Sequence, residues 1–281
     1  MATQQQTRTL LVTGATGGMG RACSLLAAKQ GYDLLLSDLD SEKLKTITNE
    51  CTKLGINADF KELDISDSSA ITDFVSYVKN GSKLDGIIHT VGLSPQMAPW
   101  DKIIQVDLIG SVELIEGLKP TVTAGSCAVL IASMSGHMVP PNIEIDKTLN
   151  EPLAKNLLEK LAALPGKPLS NPGMCYAYAK KALLTYVSNQ AMNWGAEGKR
   201  IMSLSPGLID TDMGRLEAKA IGEVHTAMLG MVALQRSGQA EEIASAALFL
   251  ASDKASYISG CDLLVDGGFV SSFLKQQRAV N

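Results

Sequence analysis

Arg8-Thr9-Leu10-Leu11-Val12-Thr13-Gly14-Ala15-Thr16-Gly17-Gly18-Met19-Gly20 runs from a short apolar, β-branched stretch into a cluster of glycines. Arg21-Ala22-Cys23-Ser24-Leu25-Leu26-Ala27-Ala28 then continues at once with helical composition. Strand, glycine turn, helix is the context a dinucleotide site requires. The glycines let the backbone turn tightly and approach a pyrophosphate, while the helix start offers N–H groups and the positive end of its dipole. Asp33-Leu34-Leu35-Leu36-Ser37-Asp38 reads as the next strand, with Asp38 at its C-terminal end. That is near the spacing of roughly 20 residues at which a carboxylate accepts hydrogen bonds from the adenosine ribose. Taken alone, Asp38 is equally a loop carboxylate or a helix cap; the joint signature favours the ribose.

Composition agrees with an enzyme of this kind. The chain has 281 residues, 46% of them hydrophobic and 19% charged, and a formal net charge of −4. That length suits one α/β domain, here residues 1–281, and that apolar content suffices for a large core. The acidic balance gives no basic patch for nucleic acid. No apolar run approaches the roughly 18 residues of a membrane helix. Residues 1–7 are a polar lead without a signal-peptide pattern. Cys23, Cys51, Cys127, Cys175 and Cys261 are scattered without metal or redox spacing. They read as reduced, mostly buried thiols, which with the missing signal points to the cytoplasm. No metal cluster is visible.

Beyond Asp38 the chain alternates helix and strand. Asp40 or Ser41 caps a helix running toward Leu54, which Gly55 ends. A strand at 58–63, a helix at 66–80, a strand at 84–90 and a helical stretch from 100 to about 123 follow. A strand at 126–133 is apolar on both faces. A helix at 174–194 and strands at 200–205 and 261–265 complete the pattern. This alternation predicts a Rossmann-type, doubly wound parallel sheet of about seven strands, covered by helices on both faces. Ligands then collect beyond the carboxyl ends of the strands.

Tyr176-Ala177-Tyr178-Ala179-Lys180 places Tyr176 and Lys180 one helical turn apart. Hydride transfer at a carbonyl needs a proton donor or acceptor at the oxygen. A phenol near pKa 10 is a poor base at neutral pH, and an adjacent ammonium lowers that pKa. Ser133, at a strand end, can hydrogen-bond the same oxygen. A Tyr/Lys pair of this spacing is by itself commonplace; the upstream dinucleotide signature gives it weight.

With these motifs the sequence resembles the short-chain dehydrogenase/reductase family, over most of its length. The compact members carry Thr-Gly-x-x-x-Gly-x-Gly, here Thr13, Gly14, Gly18 and Gly20, and Tyr-x-x-x-Lys, here Tyr176 and Lys180. A Ser follows their fifth strand, here Ser133, and Pro-Gly with a Thr follows the sixth, here Pro206, Gly207 and Thr211. The ending from Ser256 to Gly268 is similar to the compact family's C-terminus. The resemblance implies Ser133, Tyr176 and Lys180 as catalytic residues, with Asp107 at the place of the family's fourth member, an Asn. It implies cofactor contacts at Gly14, Thr16, Gly18, Met19, Gly20, Asp38 and Leu39 around the first two strands. Further contacts fall at Asp64 and Ile65, at Val91 and Gly92, at Tyr176 and Lys180, and at Pro206, Gly207, Ile209 and Thr211. Asp64 looks like the adenine contact and Thr211 the nicotinamide contact. The cofactor implied is NAD, because the Asp38 carboxylate repels a 2′-phosphate and Gly17 supplies no basic residue for one.

The chain departs from the family pattern at four places. Gly14, Gly17 and Gly20 also fit the spacing of the extended, epimerase-like branch, although the C-terminal motif and the length favour the compact one. His89-Thr90-Val91-Gly92 replaces Asn-Asn-Ala-Gly. Asp107 replaces Asn, and either holds a water toward Lys180 or pairs with it. The spacer between Ser133 and Tyr176 is swollen by residues 140–172, where 151–164 has helical composition and a stripe of Leu153, Leu157, Leu158, Leu161 and Leu164. That insertion packs over its own domain or serves as an interaction surface. A matching one occurs in the bacterial 3α-hydroxysteroid dehydrogenase/carbonyl reductase subgroup, where it blocks one subunit interface; the implied assembly is a homodimer, with a tetramer as the alternative. It is expected to form a flap beside the active site over the helix that starts near Tyr176. Residues 211–235, with Met213, Met228 and Met231, read as a substrate lid, suited to a large apolar ligand or to ordinary helix packing. His137 either lines the pocket or is a loop histidine. The expected activity is NAD-dependent interconversion of an apolar, alicyclic or steroid-like alcohol and ketone. The alternatives are a low-turnover NAD-binding sensor and an extended-branch epimerase or dehydratase.

Overall fold

Leu10, Leu11, Leu34, Leu36, Ile87, Ile88, Val129 and Leu130 are all buried, so the inner strands are apolar on both faces and require a helical layer on each. The computed structural model describes residues 8–81 and 83–280; the polar lead at 1–7 lies outside them. In chain order the first half is β1 (Thr9–Thr13), α1 (Gly18–Lys29), β2 (Asp33–Ser37), α2 (Ser41–Thr52), β3 (Ala58–Phe60), α3 (Ser68–Asn80) and β4 (Leu84–His89). Next come α4 (Trp100–Ile104), a π-helical segment (Gln105–Gly110), α5 (Ser111–Leu118), a 3₁₀ turn (Lys119–Thr121) and β5 (Val122–Ile131). A second 3₁₀ turn (Met134–His137), α6 (Ile143–Leu149), α7 (Leu157–Ala162), α8 (Pro172–Gly195) and β6 (Arg200–Pro206) follow. The chain ends with β7 (Ile209–Asp210), α9 (Asp212–Ile221), α10 (Glu223–Met231), β8 (Gly238–Gln239), α11 (Ala240–Ala251), β9 (Asp262–Val265) and α12 (Phe269–Val280).

Seven strands form one parallel sheet in the order β3-β2-β1-β4-β5-β6-β9, as expected from the alternation. The strand order reverses between β1 and β4, which opens a crevice at their carboxyl ends. Thr13 is in register with Ser37 on one side and His89 on the other, so the three strand ends finish level. One core lies between the sheet and α3, α5 and α8; the other lies under α1, α2 and α11. Local chemistry sets the helix starts. Asp40 accepts from Lys43 N at 3.0 Å, and Asn171, with Pro172 just inside the helix, accepts from Met174 N at 3.0 Å.

Several expected boundaries move. The strand read at 58–63 is regular only to Phe60, although Lys61 N and Leu63 N still reach the carbonyls of Leu36 and Asp38 at 3.0 Å. The helix expected from 66 starts at Ser68, because Asp67 caps it by accepting from Ser69 N at 2.8 Å. The helical stretch at 100–123 breaks into α, π, α and 3₁₀ pieces, and β5 begins at Val122 rather than 126. At the π segment the Ser111 hydroxyl donates to the Val106 carbonyl at 2.9 Å. Gly110 there passes so close to the Ile65 carbonyl oxygen that no side chain fits between them. The helix read at 151–164 is regular only as α7, with Pro152 and a left-handed Asn156 (φ 64°) in the stretch before it, and α6 lies ahead of the expected start.

Within the insertion, Leu157 and Leu161 are buried in the core while Leu153 is exposed, so the leucine stripe packs onto its own domain. Tyr178 OH donates to the Pro140 carbonyl at 2.9 Å, and Lys181 pairs with Asp146 at 2.7 Å, fastening the segment along α8.

Gly110→Ala should therefore destabilise the protein by about 1–3 kcal/mol, the usual range for forcing atoms into a packed site. Urea unfolding of the two proteins measures it; an unchanged midpoint would show that the close approach at Ile65 carries no constraint.

Candidate active site

The glycine turn is built to leave the start of α1 open. Gly17 caps α1 without any side-chain hydrogen bond, and the first turn holds no acidic residue, so its N–H groups are left for an anion. A side chain at Gly20 would run into the Gly14 carbonyl oxygen, which is why the turn can be this tight. Thr90, in the loop after β4, braces it: its hydroxyl donates to the carbonyls of Thr13 and Gly14 at 2.8 and 3.2 Å. Gly18 faces Thr211 from across the crevice, where a Cβ would lie 2.7 Å from the threonine methyl. Asp38 lies at the end of β2, one carboxylate oxygen accepting from Thr16 N and Oγ1 at 2.9 and 2.6 Å and the other from Leu39 N at 2.7 Å. It is partly exposed beside the largely exposed Leu39. Asp64 is exposed and accepts from Ser66 N at 2.8 Å, while Ile65 is buried.

Across the crevice, Ser133 caps the 3₁₀ turn after β5 and receives the Ser135 hydroxyl at 2.8 Å. Tyr176 and Lys180 project from the first turns of α8, with Lys180 Nζ 5.5 Å from the Tyr176 ring centre. Lys180 and Asp107 are both buried and pair at 3.1 Å. Lys180 Nζ also donates to the Ile131 carbonyl at 3.4 Å, and Asp107 accepts from Leu93 N at 2.7 Å. Of the two arrangements open to Asp107, the structure shows the pairing. A Cβ at Gly92 would come within 3.1 Å of Lys180 Nζ, so the loop from Val91 wraps directly over the pair.

These contacts set the proton affinities. Burial pushes the Tyr176 phenol above its ordinary value; the Lys180 ammonium and the Ser133 hydroxyl oppose that rise, and the charges of Asp107 and Glu217 add to it. Burial works against the Lys180 ammonium, but Asp107 and Tyr176 outweigh it and hold its pKa above the ordinary lysine range. Burial likewise raises the Asp107 carboxyl against the pull of Lys180 and Leu93 N–H. A facing ammonium at 3.1 Å and a short backbone donor are partners of a carboxylate, so we take the pair as ionised.

His89 is the residue whose role the sequence hid. It is fully buried, with Nδ1 2.7 Å from Thr13 Oγ1 and Nε2 2.9 Å from Ser111 Oγ. Because the Ser111 proton is committed to Val106, Nε2 must donate and Nδ1 must accept. Burial, assisted by the nearby Lys180 charge, drops its pKa to about 3.

An open cleft with a cavity volume of about 190 Å³ lies between the two halves of the site. Met19 from the glycine turn, Ser133, Tyr176 and the segment Pro206, Gly207, Ile209 and Thr211 all border it. Its outer wall is α9 and α10, which supply Met213, Glu217, Ile221, His225 and Met228. Glu217 and His225 escaped the sequence reading; Glu217 sits four residues from Met213 and four from Ile221, and that spacing was the available signal. Met231 does not border the cleft, and His137 pairs instead with Asp262 at 2.8 Å. Residues 140–172 contribute nothing to its lining, so the expected flap covers α8 rather than the cleft. Among the described residues no group of three His, Cys, Asp or Glu could hold a metal ion, and no helix is long and apolar enough to cross a membrane. Four of the cysteines are buried and Cys261 is exposed, all as free thiols.

Residues 8–145 match the family model described as short chain dehydrogenase, and residues 158–270 match one described as enoyl-(acyl carrier protein) reductase. A short-chain dehydrogenase/reductase of Alternaria brassicicola, bsc3, is 27% identical over 92% of this chain and 94% of its own. The cyclopentanol dehydrogenase of Comamonas testosteroni is 26% identical over 94% and 98%. A short chain dehydrogenase of Burkholderia cenocepacia, solved in complex with NADP, superimposes with a TM-score of 0.74 at 22% identity, over 93% and 97% of the two chains.

The His89 environment makes a prediction about acid. The folded protein holds His89 neutral down to about pH 3, whereas the unfolded chain protonates it near pH 6.5. Between those values the unfolded state binds the extra proton, so stability falls as pH drops. Denaturant unfolding between pH 7.5 and 4 should show His89→Asn losing less stability than the parent protein. Equal losses would mean that another group governs the acid limb.

Proposed function

The chain belongs to the short-chain dehydrogenase family of oxidoreductases, which bind a nicotinamide cofactor, and from that premise we propose that it interconverts a secondary alcohol and a ketone on an apolar substrate, with NAD as cofactor. The observation that carries this reading is the shared cleft. Ser133 and Tyr176 face the same space as Met19 of the open glycine turn. The residues present fit a dinucleotide: an uncapped helix start without acidic residues for its pyrophosphate, and Asp38 at the end of β2 for a ribose. When bound, the nicotinamide supplies or takes up the hydride.

The protein's own part is positioning and proton transfer. Ser133 donates a hydrogen bond to the substrate oxygen and fixes its place beside Tyr176. The Tyr176 hydroxyl gives a proton to a ketone oxygen, or takes one from an alcohol. Lys180 opposes the burial that makes the phenol a weak acid, while Asp107 anchors Lys180 and offsets part of its charge. Leu208, Ile209, Ile221 and the methionines around the cleft favour an apolar, alicyclic or steroid-like body. The name of the cyclopentanol dehydrogenase relative is consistent with that class. A homodimer belongs to the same reading, because α6 and α7 cover a flank of α8 that is then closed to subunit packing.

Tyr176→Phe tests the chemistry. It should lower turnover of a cyclic ketone panel by about 10²–10⁴-fold, the usual contribution of a general acid or base, with cofactor binding nearly intact. A variant keeping half its rate would remove Tyr176 from this role.

Cofactor choice is tested separately. Asp38 presents a carboxylate where the 2′-phosphate of NADP would lie, and like charges at close range cost several kcal/mol. Asp38→Ser should narrow the preference for NAD over NADP by about one to two orders of magnitude in titrations of each cofactor. Equal affinity of the parent protein for both would end the NAD assignment.

A further inference from the structure

The cleft-facing side of α9 and α10 carries two polar residues, Glu217 and His225, and only Glu217 is an acid. Met213, Glu217, Ile221, His225 and Met228 follow one another at intervals of three or four residues, so they share one face. Asp212, Arg215, Lys219 and Glu223 are exposed and do not border the cleft. Charge thus belongs to the outer side of these helices, yet Glu217 is turned inward. Among the described residues no lysine, arginine or histidine pairs with it. Burial raises its pKa, opposed by the neighbouring Ser94 hydroxyl.

Ser94 is a polar neighbour of that carboxylate. It lies in the loop after β4, is fully buried, and its hydroxyl stabilises the charged form of Glu217. A half-buried carboxylate that has no cation and meets this hydroxyl keeps accepting capacity for a donor arriving in the cleft. Nothing in the fold requires Glu217, since α9 has no buried residue and Glu217 anchors no contact of the core. Tyr176 and Glu217 border the same cleft, so one molecule lying in it can meet both.

We infer that Glu217, with Ser94 beside it, selects substrates that carry a second polar group, a hydrogen-bond donor, on an otherwise apolar ring system. This rests on the alcohol/ketone reading above and narrows its substrate class to hydroxylated or amino-substituted cyclic ketones and the matching diols or amino alcohols. The carboxylate accepts from the donor, and the buried Ser94 hydroxyl holds the carboxylate in place. Because the Glu217 contact does not involve the reacting carbonyl, it acts on substrate selection rather than on proton transfer.

The test uses one- and two-ring ketones in three forms: unsubstituted, and bearing a hydroxyl or an amino group on the carbon most remote from the carbonyl. The parent protein should favour a donor-bearing form over the unsubstituted one by at least about tenfold in kcat/KM, chiefly through KM. The hydroxyl and amino arms show which donor is preferred. Glu217→Leu should bring that ratio toward one, with Glu217→Gln in between, since the amide oxygen still accepts. A parent protein without the preference, or a Glu217→Leu protein that keeps it, would overturn the inference. A second measurement needs no turnover: calorimetric titration of the NADH-loaded protein with cyclohexane-1,4-diol, trans-4-aminocyclohexanol and cyclohexanol. Glu217-dependent tightening for a donor-bearing ligand would support the inference even if every ketone proved inert, a result that would count against the redox reading alone. Identical binding of all three would overturn it.

Discussion

The buried ion pair between Lys180 and Asp107 is the constraint on which the arrangement of the site depends. Four parts of the chain meet there: α8 through Lys180, the π segment through Asp107, the loop after β4 through Leu93 N, and β5 through the Ile131 carbonyl. Each charge is tolerated in the interior only because the other is present. Removing one partner of such a pair typically costs about 3–5 kcal/mol. The pair therefore fixes the relative heights of the helix bearing Tyr176 and the strand end bearing Ser133. It also limits the chemistry, since a lysine held by a carboxylate has less charge to spend on the neighbouring phenol. The neutral, tightly bonded His89 beside it keeps a further positive charge out of the same space.

Much of the frame was legible in the sequence because it is written in local chemistry. The change from an apolar run to glycines marked β1 and the start of α1, and alternation of buried strands with helices fixed the parallel sheet. Tyr176 and Lys180 were visible through helical spacing read together with the upstream dinucleotide signature. The break in the 100–123 stretch was not, because it follows from Gly110 meeting Ile65, a contact 45 positions apart in the chain. The insertion was read as one helix because its leucines are periodic; Pro152 and the left-handed Asn156 outweighed that periodicity. His89 was recorded only as a departure from a motif, since its bonds to Thr13 and Ser111 exist only after two strands and a helix have assembled.

The two walls of the cleft differ in kind. The wall toward the glycine turn ends on inner strands of the sheet, where nearly every side chain is buried. The opposite wall, α9 and α10, has no buried residue at all. It rests on a small cluster in which Met134, Val232, Phe269 and Val270 are buried, with Phe269 and Phe273 of α12 stacked 6.3 Å apart. Few buried contacts mean a low cost of local opening. The glycine turn thus belongs to the rigid part of the molecule and the α9–α10 wall to the part that opens most easily, with α12 as its support.

The insertion also bears on how the chain reaches its native state. Ser133 and Tyr176 come together only when the loop between them closes, and α6 and α7 lengthen that loop. Loop-closure entropy grows slowly, by only about 0.6 kcal/mol for each doubling of length, so the added segment burdens equilibrium stability little. Its larger effect falls on time. Every neighbouring pair in the main sheet is parallel and joined through distant crossovers, a topology whose folding is slowed by non-local contacts. With α6 and α7 interposed, closing the loop that brings Ser133 to Tyr176 must also dock two added helices. Until then the leucines of α7 remain uncovered, and a newly made chain must protect them from other chains.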